Sequence, residues 1–162
     1  SKFEVLIYLQ GNNELITTNK SSAGLQKNNS SLLTISNEPG KDTGCLDASN
    51  KAMDNRFVLT KLEPAGYGAG IGSGIMSRLS LIIVISGVSV TASSTSGAGI
   101  GSGFASNAGI SGNCSDITIS NSTVIATSTS GAGIGSGQAS GNGNAVAIAL
   151  ILIISNSTVT AT

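Results

Sequence analysis

Apolar residues in this chain alternate with small or polar residues over short segments, and Gly, Ser and Asn separate the segments. Residues 119–127, for example, read Ile-Ser-Asn-Ser-Thr-Val-Ile-Ala-Thr. A period of two places successive side chains on opposite faces of a β-strand. Ile, Val and Thr dominate the apolar segments, and the chain contains 22 Gly, a combination that disfavours helices. The pattern therefore predicts short β-strands joined by tight corners.

A seven-residue segment, Gly-Ala-Gly-Ile-Gly-Ser-Gly, occurs three times and is called the tag below: 68–74, 97–103 and 131–137. The segments that follow the tags also match one another: 85–93, 119–127 and 154–162. A divergent copy lies upstream, at 23–26, 33–37 and 45–49. Self-similarity at spacings of this length is typical of stacked repeat units.

Stacking the copies places equivalent residues above one another in columns. Four inward columns are predicted: Leu25, Ile71, Ile100 and Ile134; Ile35, Ile85, Ile119 and Ile154; Leu46, Val90, Val124 and Val159; and Ala48, Ala92, Ala126 and Ala161. Three aliphatic columns and one small-residue column enclose a narrow core. The predicted fold is all-β, a parallel β-helix (β-solenoid) of about four coils with three strands each.

The whole chain, 1–162, is predicted to form a single solenoid domain. It begins with a lead-in coil at 1–22 and a divergent coil at 23–67, which contains an insertion at about 50–66. Three regular coils follow, at 68–96, 97–130 and 131–162. Aromatic residues make up only 3% of the chain and Trp is absent, which suits a narrow aliphatic core better than a broad globular one.

Charge is distributed unevenly along the chain, although the formal net charge is zero. All eight Lys and Arg residues lie at or before Arg78, and of the eight acidic residues only Asp116 lies after it. A neutral chain lacks the basic surface that neutralises phosphates, so no nucleic-acid partner is expected. The nearly uncharged part after Arg78 is expected to associate unless another group keeps it soluble.

Two hydrophobic runs, 79–85 and 145–154, are shorter than the roughly 20 residues of a spanning helix, so both are interpreted as core strands and no membrane span is expected.

Without His, the chain lacks Ser-His and Cys-His nucleophile systems and a common metal ligand. We therefore expect no enzyme activity, no cofactor and no metal. A carbohydrate-binding or polysaccharide-active β-helix, with Asp47 beside Lys51 or Arg56, is an alternative.

Six Asn-x-Ser/Thr sequences are candidate N-glycosylation acceptors: Asn19, Asn28, Asn29, Asn113, Asn121 and Asn156. A structural interpretation competes for some of them. Asn37, Asn121 and Asn156 share one register position after an Ile-Ser pair, where stacked Asn side chains can hydrogen-bond along a corner. The two cysteines, Cys45 and Cys114, occupy non-equivalent positions, and whether they form a disulfide stays open.

The Ala-Gly-Ile-Gly string at 132–135, with the Ile-Thr-Ile and Thr-Val-x-Ala-Thr strands of 116–127, resembles repeats of large cell-surface proteins with right-handed β-helix folds. Such repeats occur in bacterial wall-associated proteins and in adhesin-like proteins of some protists. The resemblance covers nearly the whole chain, and residues 5–11 fit the lead-in coil. It implies an extracellular or cell-surface, non-enzymatic, structural or adhesive role. The Gly-Ser-Gly ending and the insertion at about 50–66 depart from that pattern.

Two outward surfaces are expected to carry function. If Ala69 and Ile71 point inward, alternate glycines of the tags point outward and form an assembly face almost free of side chains. These glycines are Gly70, Gly72, Gly74, Gly99, Gly101, Gly103, Gly133, Gly135 and Gly137. The second surface is a Ser/Thr ladder that Ile125 interrupts. It contains Ser89, Thr91, Ser93, Thr123, Thr127, Thr158, Thr160 and Thr162.

The leading functional hypothesis is a surface β-solenoid that associates with itself, end to end or laterally, into filaments. Its expected partners are further copies of the chain, and surface glycans are a second class. Ice binding is an alternative from another functional class, because the Ser/Thr ladder resembles the flat Thr ladders of ice-binding solenoids.

Overall fold

A computed structural model describes residues 4–19, 21–27, 32–41, 43–50, 68–74, 81–106, 114–140 and 151–162. In these ranges the chain forms sixteen β-strands and no helix. The strands of the first two coils are β1 (Glu4–Leu9), β2 (Asn12–Thr17), β3 (Leu25–Gln26), β4 (Leu32–Asn37), β5 (Cys45–Asn50) and β6 (Ile71–Gly72). The third coil contains β7 (Leu81–Ser86), β8 (Ser89–Ser94), β9 (Ile100–Gly101) and β10 (Ala105–Ser106). The remaining strands are β11 (Cys114–Ser120), β12 (Thr123–Ser128), β13 (Ile134–Gly135), β14 (Ala139–Ser140), β15 (Ile151–Ser155) and β16 (Thr158–Ala161).

Equivalent strands of successive coils pair in parallel and form three long sheets. Sheet A has the order β1-β4-β7-β11-β15, sheet B the order β16-β12-β8-β5-β2, and sheet C the order β13-β9-β6-β3. A short fourth sheet joins β10 and β14. Each coil thus passes through sheets A, B and C in turn, which confirms the predicted parallel β-solenoid. Sheet C counts four coils, and sheets A and B count five.

The pairing register reproduces the four predicted columns. Ile35 pairs with Ile85, Ile85 with Ile119 and Ile119 with Ile154. The tag isoleucines, the valines and the alanines align in the same way. Ile35, Ile85 and Ile119 have 0% exposure, as does Ala126. A fifth inward column joins Leu33, Ile83 and Ile117 in sheet A, two residues before the second column.

The corner between sheets A and B requires a left-handed backbone conformation. Gly87, Asn121 and Asn156 occupy this corner with φ of 70°, 49° and 47°. Gly and Asn are the residues that adopt this conformation at least cost. The structure therefore gives the repeated corner asparagines a backbone role, which the sequence pattern does not distinguish from a side-chain ladder.

Serine side chains add hydrogen bonds between coils at that corner, beside those of the backbone. The Ser122 hydroxyl donates to the Ser120 carbonyl at 2.7 Å and accepts the Val88 amide at 3.3 Å. The Ser157 hydroxyl likewise donates to the Ser155 carbonyl at 2.7 Å and accepts the Ser122 amide at 3.1 Å. Serines thus perform the corner role that the sequence pattern assigned to Asn side chains.

Asn37 has a different role from the two later asparagines. Its side-chain oxygen accepts the Gly44 amide at 3.1 Å, and its side-chain nitrogen donates to the Lys41 carbonyl at 2.9 Å. These bonds close the loop between β4 and β5. The expected stack of Asn37 with Asn121 and Asn156 is therefore replaced here by a local cap.

Removal of side-chain volume from a core column should destabilise the solenoid. We expect Ile119→Ala to lower the free energy of unfolding by about 2–5 kcal/mol, because Ile119 is fully buried between Ile85 and Ile154. The matched control is Thr123→Ala, at an exposed outward position of the same coil, which should change it by less than about 0.5 kcal/mol. Urea unfolding followed by circular dichroism measures both. Equal effects of the two substitutions would contradict the column.

Candidate functional site

The tags stack on one another in sheet C, and each of the first two tags bonds to the tag that follows it in sequence. The amides of Gly70, Ile71 and Ser73 donate to the carbonyls of Ala98, Gly99 and Gly101, at 3.1, 3.0 and 3.0 Å. The next tag repeats the three bonds toward Ala132, Gly133 and Gly135, at 3.0, 2.9 and 3.0 Å. These six bonds run from the earlier tag to the later one, and the parallel pairing of Ile71 and Gly72 with Ile100 and Gly101 adds ladder bonds in the opposite direction.

The tag serine completes this pattern with its side chain. The Ser73 hydroxyl accepts the Gly103 amide at 3.1 Å, and the Ser102 hydroxyl accepts the Gly137 amide at 3.2 Å. Both serines have 0% exposure. A buried amide without a partner is costly, so a hydroxyl at this position stabilises the turn that leaves the tag.

A third set of side chains joins the tags to sheet B. The Ser94 hydroxyl donates to the Gly68 carbonyl at 2.6 Å, and the Ser128 hydroxyl donates to the Gly97 carbonyl at 2.6 Å. In the divergent coil the Asn50 side chain donates to the Ser22 carbonyl at 2.6 Å. The sequence signal for this contact is a Ser or Asn at the last position of β5, β8 and β12, which the sequence analysis missed.

The structure corrects the expected exposure of the tag glycines. All nine glycines of the predicted assembly face are buried: Gly70, Gly72, Gly74, Gly99, Gly101, Gly103, Gly133, Gly135 and Gly137. The alternation of residues in the tags places these glycines on the side of the strand opposite to the isoleucine column. It does not reveal that Gly70, Gly99 and Gly133 pack against the backbone of sheet B, and Gly72, Gly101 and Gly137 against the backbone of the neighbouring tag. The glycines therefore form a packing contact inside the coil, with no open face.

Two kinds of close approach explain why these positions are glycine. A Cβ atom on Gly99 would lie 2.7 Å from the Thr127 amide nitrogen and 2.7 Å from the Gly133 carbonyl oxygen. A Cβ atom on Gly101 would meet the carbonyl of Gly135, and Gly101 also has φ of 137°. Both contacts are with backbone atoms, which cannot move aside as a flexible side chain can.

Lys27 is a buried residue that the sequence analysis overlooked. Its amide donates to the Gly72 carbonyl at 2.8 Å, as the Ser73 amide donates to Gly101, so Lys27 occupies the tag-serine position of the first coil. Burial lowers the pKa of Lys27. The sequence signal for this equivalence is the position of Lys27 directly after Ala23-Gly24-Leu25-Gln26, the divergent tag.

The predicted Ser/Thr ladder lies on the outer face of sheet B, and its three columns differ. Ser89, Thr123 and Thr158 are in register, and the two threonines are exposed. Thr91 and Thr160 are also exposed and flank Ile125. In the third column Ser93 and Thr127 are half-buried beside the tags, whereas Thr162 is exposed. The arrangement is a ladder, and ice binding by it stays a prediction.

The candidate glycosylation residues fall into three groups. Asn121 and Asn156 are exposed at the left-handed corner. Asn19 is exposed, and its side-chain oxygen accepts the Ser21 amide at 3.0 Å. The other three, Asn28, Asn29 and Asn113, lie outside the described residues. Glycosylation of any of them stays a prediction.

In the described part of the chain, an acidic pair lies in an open groove of about 440 Å³ on the outer face of sheet B. Glu14 and Asp47 are paired neighbours there, beside the half-buried, free Cys45. Lys51 and Arg56, the bases considered with Asp47, lie outside the described residues. Among the described residues, no group of three or more His, Cys, Asp or Glu could hold a metal ion. Within the same ranges, no helix is long and apolar enough to cross a membrane.

Comparison of the chain with protein-family models, with curated proteins and with solved structures finds no match.

Three Gly→Ala substitutions should separate the two reasons for glycine in the tags. Gly40→Ala changes a turn glycine with φ of 78° and open space around it, so we expect a loss of about 1–2 kcal/mol. Gly99→Ala introduces the backbone clash alone and should cost about 1–3 kcal/mol or more. Gly101→Ala combines both effects and should be the most destabilising. Urea midpoints measure the order, and equal losses for Gly40→Ala and Gly101→Ala would refute the packing role.

Proposed function

We propose that the chain is a non-enzymatic structural or adhesive β-solenoid that acts outside the cell and associates with itself end to end. The observation that carries the proposal is the matching register of the apolar residues at the two ends of the stack. Within the described chain, β1 and β15 are the edges of sheet A, and β2 and β16 are the edges of sheet B.

Both edges of sheet A expose large aliphatic side chains. In β15, Ile153 and Ile154 are 53% and 46% exposed, and Ile151 and Leu152 are exposed as well. In β1, Val5 and Leu6 are 47% and 45% exposed. Buried apolar area is the main source of favourable free energy in association, and unpaired strand edges supply backbone donors and acceptors. Two such edges favour the addition of another coil at either end.

The two edges fit each other if one molecule continues the register of the next. Ile154 belongs to the column that begins at Ile7, and Leu152 belongs to the column that begins at Val5. Stacking β15 of one copy on β1 of another would therefore place Ile154 on Ile7 and Leu152 on Val5. The core columns of sheet A would then continue from one molecule to the next.

Sheet B supports the same arrangement with a polar boundary. Asn13 starts the column of Leu46, Val90 and Val124, and its side chain donates to the Cys45 carbonyl at 3.1 Å. A polar residue in an otherwise apolar column marks where one molecule ends within the assembly. This residue favours one register over slipped alternatives.

An extracellular setting is supported by the composition and by the exposed corner. The chain after Arg78 carries a single charged residue, Asp116, and Asn121 and Asn156 present Asn-x-Thr sequences at exposed positions. A surface with so little charge suits a fixed fibre or a glycan-bearing surface protein better than a freely diffusing one. The resemblance to adhesin-like repeats favours the same setting.

Assembly should be visible without any added partner. We expect the purified chain to form linear polymers whose size increases with concentration in sedimentation velocity. Negative-stain images should show filaments with a repeat of about 24 Å, because each molecule adds five strands to sheet A at roughly 4.8 Å each. A monomer at every concentration tested would contradict the proposal.

A charge placed in the edge column should block this assembly. Ile154→Lys inserts an ammonium group where the columns of two molecules would meet, and we expect the association constant to fall at least about tenfold. Thr160→Lys adds the same charge to an outward, exposed position of the same coil and serves as the control. Circular dichroism checks that both variants fold. Equal loss of assembly in both would indicate a charge effect unrelated to the columns.

A further inference from the structure

The last tag, 131–137, forms an open strand edge of a specific kind. Its strand β13 lies at the end of sheet C and pairs with β9 alone. Ala98, Ile100 and Ser102 of the preceding tag have 0% exposure. The equivalent residues of the last tag are all half-buried: Ala132, Ile134 and Ser136. One face of an otherwise enclosed segment is thus uncovered.

This edge presents three backbone donors in a fixed arrangement. In the preceding tag the amides of Gly99, Ile100 and Ser102 donate to carbonyls of the last tag. The equivalent amides are those of Gly133, Ile134 and Ser136. No later tag lies among the described residues to accept them.

The hydroxyl of Ser136 gives an independent indication of what fits this edge. It is buried and has no hydrogen-bond partner, whereas the Ser73 and Ser102 hydroxyls each accept the amide of the last glycine in the following tag. Most buried hydroxyls in proteins have a partner. The position of Ser136 therefore matches an acceptor for one more glycine amide.

The surroundings also select the residue types of an incoming strand. A Cβ atom on Gly133 would lie 2.6 Å from the Ala126 carbonyl, and one on Gly70 would lie 2.8 Å from the Ala48 carbonyl. Ala161 continues this column of alanines, so its carbonyl would exclude a side chain at the same point of the next strand. The position that follows would extend the column of Ile71, Ile100 and Ile134 and favours an aliphatic residue.

We propose that the open edge of β13 binds one further extended strand with the tag sequence. The alanine carbonyl and the two following glycine carbonyls that align with Gly133 and Gly135 would accept the amides of Gly133, Ile134 and Ser136. The last glycine amide would donate to the Ser136 hydroxyl. Recognition is strand addition, in which backbone bonds supply affinity and side-chain positions supply specificity. It goes beyond end-to-end assembly and does not depend on it.

A labelled peptide tests the proposal directly. Fluorescence anisotropy would measure binding of Ser-Gly-Ala-Gly-Ile-Gly-Ser-Gly to the 162-residue chain, at concentrations where sedimentation finds no self-association. We expect saturable binding. A peptide with Ala in place of the glycine before Ile should bind at least about tenfold more weakly, because its methyl group would meet the Ala161 carbonyl. A peptide with Ser in place of Ile should also bind more weakly.

A variant of the chain separates binding from folding. Ser136→Ala removes a hydroxyl that has no partner in the chain, so its urea midpoint should equal that of the wild type or exceed it. Its affinity for the peptide should fall about 2- to 10-fold, the range expected for one hydrogen bond. Ser140→Ala, at an exposed position of β14, should change neither quantity.

Three results would overturn the proposal: no binding of the tag peptide, equal binding of the peptide with Ala before Ile, or unchanged affinity in Ser136→Ala. Each differs from a failure of end-to-end assembly, which is measured without peptide and probed by Ile154→Lys. A chain that binds the peptide yet remains monomeric would retain the strand-addition site and exclude the filament.

Discussion

In-register parallel stacking of successive coils is the constraint on which this structure depends. Each residue has its own equivalents, one coil before and one coil after, as its nearest neighbours across the sheets. Ile85 must fit Ile119, and Ala92 must fit Ala126. The core is therefore a set of columns of equal width, and a change of volume at one level is transmitted along a column. Repetition of the sequence is the direct consequence of this geometry.

The same constraint explains how a chain rich in Ser satisfies the hydrogen-bonding groups of its backbone. Sheets satisfy their own amides and carbonyls, but the corners between sheets leave backbone groups that need other partners. Ser122, Ser102 and Ser94 supply them at three separate places in the coil. Because each serine recurs in the next coil or has an equivalent there, these bonds repeat with the stack. Many of the polar side chains in the sequence thus form hydrogen bonds inside the molecule.

The core columns could be predicted from the sequence because alternation and repetition together determine both the inward face and the register. The contacts of the tag glycines could not be predicted, since alternation gives the side of the strand on which Gly70 or Gly99 lies and not what that side contacts. Their contacts are with backbone atoms of Ser93 and Thr127 in sheet B, which are distant from these glycines in sequence. The buried tag serines were missed for a related reason. A small polar residue in the sequence is equally consistent with a solvent-exposed side chain and with a side chain that bonds a backbone amide.

The direction of the tag bonds makes the two ends of the solenoid chemically different. Gly24 and Leu25 of the first tag donate toward the second tag, as Gly70 and Ile71 donate toward the third. The first tag therefore exposes the carbonyls that correspond to these acceptors, and the last tag exposes the corresponding amides. Two identical ends cannot continue the parallel, in-register columns, so continuation of the stack joins unlike ends. Contacts between unlike ends are heterologous, and along a straight axis they do not close into a ring. The end-to-end association proposed above would therefore be open-ended, which is the physical argument for fibres over closed oligomers in that proposal.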